Sequence, residues 1–152
     1  MPVTKDKKMD LVIQTVRAVS ELRNHIRRYI QTRIKELQTN LTFEMFEVMF
    51  YLWQKDGMNQ QELSRLTFRD KSSTTYLIDN LSRRGLVIRL EDPEDRRSKR
   101  IALTPAGSSL GEQLRPLMME LYAILGGDIE TLRFCNGIAL IKDMTKNILT
   151  TC

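Results

Sequence analysis

Between residues 60 and 103 the spacing of apolar side chains changes once, from the three-and-four steps of a helix to the alternation of a strand. That switch constrains the chain more than any other feature it carries. Leu63 and Leu66 form the buried side of a short helix over 60–66, opened by Asn59 and Glu62 at capping-box spacing, where each can satisfy the other's orphan amide. Thr74, Leu77, Ile78 and Leu81 cluster on one side of a second helix, roughly 71–84, which Gly85 ends. Leu86-Val87-Ile88-Arg89-Leu90-Glu91 then reads as a strand and Lys99-Arg100-Ile101-Ala102-Leu103 as its partner. The loop between them, Asp92-Pro93-Glu94-Asp95-Arg96-Arg97, has nothing to bury.

Helices flank this segment. Val12, Val16, Val19, Leu22, Ile26, Ile30, Ile34 and Leu37 make one stripe along 9–38. Thr42 is placed as the N-cap of the next helix, with Leu41 and Phe46 as a hydrophobic staple. That helix runs to about Lys55, is apolar nearly all round, and is expected at the centre of the core. Thr104-Pro105 pairs an N-cap with proline at the first helical position. The helix it starts passes Leu110, Leu114, Leu117, Leu121 and Leu125, carries Pro116 as a candidate kink, and breaks at Gly126-Gly127. Asp128 is the expected cap of a last helix through Ile129, Leu132, Ile138, Ile141 and Ile148. The order predicts a mainly α fold with a small β-hairpin wing: a winged helix-turn-helix with N- and C-terminal dimerisation helices. Residues 1–152 are expected as a single domain, with 42–107 as the winged lobe and 9–38 and 108–150 as dimerisation helices.

Several classes of function lack the residues they require. No apolar run reaches bilayer length and the N-terminal stretch is charged, so neither a membrane span nor a secretion signal is expected, and the expected compartment is the cytoplasm. Cys135 and Cys152 are too few for a disulfide framework or zinc site, and His25 is the one histidine. With no nucleophile–base pair, glycine-rich phosphate loop or metal-ligand cluster, no enzyme, catalytic residue, cofactor or metal is expected. The formal charge of +5 suits a polyanionic partner, but its placement is informative. Residues 1–35 hold nine Lys/Arg against three Asp/Glu, and residues 69–100 hold nine against six.

A major groove about 12 Å wide admits one helix, anchored by a buried face and carrying small polar side chains near its outward N-terminus. The 71–84 helix meets both conditions. Lys71, Ser72, Ser73, Thr75 and Tyr76 are the candidate contacts, with hydroxyls for phosphates or base edges; Asp79, further along, would repel phosphate. Arg96 and Arg97 at the loop tip suit a narrow minor groove, and Asp92 or Asp95 can hold a guanidinium in its fork geometry. The ordinary alternatives are a solvated hairpin and a capped helix with a polar face.

The stretch from Leu86-Val87-Ile88-Arg89 through Asp92-Pro93-Glu94-Asp95-Arg96-Arg97-Ser98 to Leu103-Thr104-Pro105-Ala106-Gly107 resembles the wing signature of the MarR family of bacterial regulators. Asn59-Gln60-Gln61-Glu62-Leu63-Ser64 and Asp70-Lys71-Ser72-Ser73-Thr74-Thr75 resemble that family's two helix-turn-helix helices. The similarity is strong over about 42–107; the flanking helices match in length and order only. It implies a two-fold homodimer on a pseudo-palindromic double-stranded DNA operator, acting as a repressor or, less often, an activator. Arg97 then matches the arginine that enters the minor groove and Asp95 its orienting carboxylate, while Tyr76 departs from the arginine of many relatives. The resemblance also implies a cavity for a small hydrophobic or aromatic effector, for which His25, Met45, Met49 and Trp53 are candidates; the alternatives are a partly buried interface position for His25 and plain core packing for the others. Some relatives sense oxidants through a cysteine in the N-terminal helix, which here has none; Cys135 on an apolar helix reads as buried packing. The rival reading in another class is a winged-helix protein-interaction module without DNA binding.

Overall fold

The computed structural model describes residues 5–151. The expected fold class is what it shows. In order, the elements are α1 (Lys5–Glu36), α2 (Phe43–Gln54), β1 (Met58–Asn59), α3 (Gln60–Leu66), α4 (Lys71–Arg83), β2 (Val87–Glu91), β3 (Lys99–Leu103), α5 (Pro105–Gly126) and α6 (Thr131–Leu149). The chain divides into two compact units, one through Gln113 and one from Leu114.

In the first unit, α2 sits at the centre because most of its surface is apolar: Phe43, Met45, Phe46, Val48, Met49 and Leu52 are all buried. Its start is fixed by Thr42, whose hydroxyl accepts the Met45 amide at 3.1 Å. Leu63, Ile78, Leu81, Val87 and Ile101 complete the core with no accessible surface. A buried Leu or Ile contributes roughly 1.5–3 kcal/mol on transfer from water, so these few side chains carry much of what holds the lobe together.

The wing is not a lone hairpin. β2 pairs antiparallel with β3, with Arg89 opposite Ile101, and β1 adds a third strand on the other side of β3 through Met58↔Ile101 and Asn59↔Arg100. Two residues carry no period, so β1 leaves no sequence signal. Asp56 completes the join, accepting the Leu103 amide at 2.8 Å.

Two expected caps are corrected. Asn59 accepts the Gln61 amide at 2.7 Å, but Glu62 does not close the box; its carboxylate lies 3.4 Å from Lys55 Nζ, at the end of α2. Asp128 does not cap α6, which begins at Thr131 after Glu130, a position with no side-chain capping bond; Ile129 therefore lies outside the helix.

The second unit holds the rest of α5 and α6. α5 runs unbroken through Pro116, and Gly127 makes the break with φ of 43°. None of the residues of α6 is buried, and Leu132, Phe134, Ile138, Leu140, Ile141, Ile148 and Leu149 are all exposed. Cys135, expected in packing, is exposed too, and Cys152 lies outside the described residues. Among the described residues no helix is long and apolar enough to cross a membrane, and no group of three or more His, Cys, Asp or Glu is placed to hold a metal.

Candidate nucleic-acid interface

α4 presents one face because every neighbour holds the other. Thr74, Leu77, Ile78 and Leu81 are buried. At the N-terminus Asp70 Oδ1 accepts the Ser73 amide at 2.7 Å, and that bond keeps the Asp70 carboxyl below its ordinary pKa. Two side-chain bonds tie α4 to α3: the Ser64 hydroxyl donates to Thr74 Oγ1 and the Gln60 amide to Thr75 Oγ1, both at 2.8 Å. In the turn between them, Arg69 Nη2 donates to Glu47 of α2 at 2.6 Å. Arg84, at the C-cap, donates to the Asn40 carbonyl in the α1–α2 turn.

Lys71, Ser72, Ser73 and Tyr76 remain on the open side, Tyr76 with 64% of its surface accessible. Neither serine hydroxyl has a partner among the described residues. Thr75 differs from that set. It is half-buried, and while it accepts from Gln60 its one donor goes to the Lys71 carbonyl at 2.8 Å, so in this arrangement it offers no proton to a phosphate. Asp79, expected to repel phosphate, is neutralised by Arg89 of β2 at 2.6 Å, a contact that also links α4 to the wing.

The wing loop is built on Asp92 rather than on Asp95. Asp92 is buried; its Oδ2 accepts from Arg100 Nε at 3.0 Å and its Oδ1 from the Glu94 amide at 2.9 Å. The Arg100 bond, with the Glu94 amide second, holds the Asp92 carboxyl below its ordinary value. Asp95 does not fork a guanidinium: its Oδ1 accepts the backbone amide of Arg97 at 2.9 Å. Arg96 and Arg97 are exposed at the tip, and no side-chain partner of either guanidinium is found among the described residues.

Residues 41–99 match the model of the MarR family. The chain is 31% identical over 104 residues to YsmB of Bacillus subtilis, an uncharacterized HTH-type transcriptional regulator, 67% of this chain and 71% of that one. The chain belongs to the MarR family. A MarR transcriptional regulator from Methanosarcina mazei superposes with a TM-score of 0.72 at 28% identity, over 90% of this chain and 96% of that one. The MepR–DNA complex of S. aureus gives 0.74 at 22% identity, over 86% and 95%. Another curated relative is spanned over 56% of its length.

In this MarR chain the four candidate pocket residues sit in different surroundings. His25 is exposed on α1 in the single chain, where an interface position would leave it. Met49 has no accessible surface. Trp53 donates from Nε1 to the Gly107 carbonyl at 2.9 Å with its ring edge against Phe46. Met45 borders an open groove of about 590 Å³, shared with Glu44, Arg69, Ser72, Ser73 and Tyr76. Sequence reasoning missed the residues that aim the interface: Gln60, Arg69, Arg89 and Arg100. Each acts through a partner eight to twenty-two residues away, a separation at which no local period exists.

Proposed function

We propose that this protein is a sequence-specific, double-stranded-DNA-binding transcriptional regulator working as a homodimer, with residues 42–107 as the reading lobe and 9–38 and 108–150 as dimerisation helices. The observation that carries the reading is the division of α4, with four side chains buried and Lys71, Ser72, Ser73 and Tyr76 open, on a helix tied to an arginine-tipped wing by Asp79–Arg89. Such a helix fits the major groove while Arg96 and Arg97 reach the adjacent minor groove. MepR, which shares the fold, has been crystallised with DNA, in keeping with this use of it. Dimerisation is supported by the exposed apolar residues of α1, from Met9 to Leu22, and of α6. Two lobes related by a two-fold axis match half-sites one helical turn apart.

Repression follows if the dimer occupies a promoter, and a small hydrophobic or aromatic effector regulates it by preferring the unbound lobe spacing. A guest in the groove beside Met45 would act differently, by covering Ser72, Ser73 and Tyr76 against DNA. The deciding experiment selects duplexes from a random pool with the full chain, then compares wild type with Arg97→Ala by anisotropy. The expected result is a pseudo-palindromic consensus and a loss of roughly tenfold or more in affinity, within the 1–3 kcal/mol of a good groove contact. No enrichment would return the fold to the protein-interaction reading.

A further inference from the structure

Between α3, the first residue of α4 and the base of the wing lies a cleft of about 510 Å³ whose lining includes Gln61, Lys71, Asp95, Arg97, Ser98 and Lys99. Three cations and one carboxylate face it, leaving a formal charge of +2 (three minus one). Asp95 has one oxygen on the Arg97 amide and is turned to the loop's own backbone. Lys99 lies 3.6 Å from Glu91 with both side chains largely exposed, a pairing weak enough to be exchanged for a better anion. The two walls are joined. Asn59 caps α3 through Oδ1 and donates through Nδ2 to the Ser98 hydroxyl, so the cleft is fixed before anything enters it.

The position matters as much as the charge. The cleft shares Lys71 with the open face of α4 and Arg97 with the wing tip, so a strand contacted by both would cross its mouth. A guest there meets ammonium, guanidinium, amide and hydroxyl donors, the set that suits a phosphodiester. We propose that this cleft seats one backbone phosphate of each DNA half-site, with Lys99 and Gln61 as contacts beyond the recognition helix and wing tip. The proposal rests on the DNA-binding reading above.

The test is the salt dependence of duplex binding by the full chain. Lys99→Gln should lower the slope of log K against log salt by about 0.9 per bound subunit and weaken all duplex sequences alike. Lys99→Arg should keep the wild-type slope. Gln61→Ala should cost affinity severalfold at unchanged slope, because it removes a neutral donor. Lys8→Gln, removing the same charge outside the reading lobe and the dimerisation stripe, controls for net charge. A Lys99→Gln slope equal to wild type, or a Lys8→Gln slope that falls as far, overturns the seat. Titration of inorganic phosphate gives a separate arm: saturable binding lost in Lys99→Gln, with the DNA slope unchanged, would make the cleft a free-anion site and also overturn the proposal. A wild-type chain that binds no duplex would sink the DNA reading itself.

Discussion

Phe68 holds the turn between α3 and α4 in the left-handed region, φ of 53°, with its side chain 92% exposed. The turn is a Schellman closure: Phe68 donates to the Arg65 carbonyl and Arg69 to that of Ser64. A residue with a Cβ pays about 1–2 kcal/mol there, and Gly pays part of that back through unfolded-state entropy. Phe68→Gly is therefore expected to stabilise the chain by about 0.5–1 kcal/mol, measured by urea unfolding with Trp53, the single tryptophan, as reporter. Asp92 gives a second check at this scale. Its carboxyl titrates below the ordinary 3.8 because Arg100 and then the Glu94 amide bond its charged form. A depressed carboxyl stabilises the fold fully above the unfolded value and loses that contribution as pH falls through the folded one. An NMR titration should place the Asp92 midpoint below 3.8, moving back towards it in Arg100→Ala; an unchanged midpoint would remove Arg100 as the cause. The same closure as at Phe68 recurs at Gly85, which donates to Ser82 while Leu86 donates to Leu81. There glycine announced the helix end in the sequence. At Phe68 the residue type pointed away from a turn, and the apolar spacing runs in phase from Leu63 and Leu66 to Thr74 and Leu77, so neither marked the break between α3 and α4.

Among the elements, those with a long period were the ones the sequence revealed: α2, α4, α5, β2 and β3 lie where the spacing places them, within a residue or two. β1 was not, because two residues paired to a distant strand have no pattern of their own, and α6 starts later than its candidate cap because Asp128 lies outside the first turn. Most of the candidate contacts on α4 could be named from its faces. Their supports could not, since side-chain bonds such as Gln60–Thr75 depend on how two helices pack. The seating of α5 shows the same limit. A Cβ on Gly107 would lie 2.1 Å from the Leu86 carbonyl oxygen, and the Gly107 carbonyl accepts from Trp53. Backbone cannot yield as a side-chain tip can. Gly107→Ala should cost roughly 2–3 kcal/mol net, overpacking exceeding the gain of about 1 kcal/mol in helix propensity. Equilibrium unfolding measures it, and a neutral result would mean that α5 is free to shift.

For the whole molecule, the unburied α6 matters most. A single copy leaving Phe134, Ile138, Ile141 and Ile148 in water keeps an apolar surface that soluble monomers rarely expose. Ile138→Glu with Ile141→Glu should shift sedimentation from dimer to monomer and abolish tight operator binding, because a lone lobe keeps one half-site's contacts. Arg97→Ala should lower affinity without changing the sedimentation coefficient, which separates assembly from reading. The split character of α4 reaches further. The side chains that keep the lobe folded are not those that would choose its address, so Ser72, Ser73 and Tyr76 can be rewritten by drift or by design at little cost in stability. If those positions read DNA as proposed, a lineage carrying this chain can acquire new genomic targets one open position at a time, on a frame that never has to be reinvented.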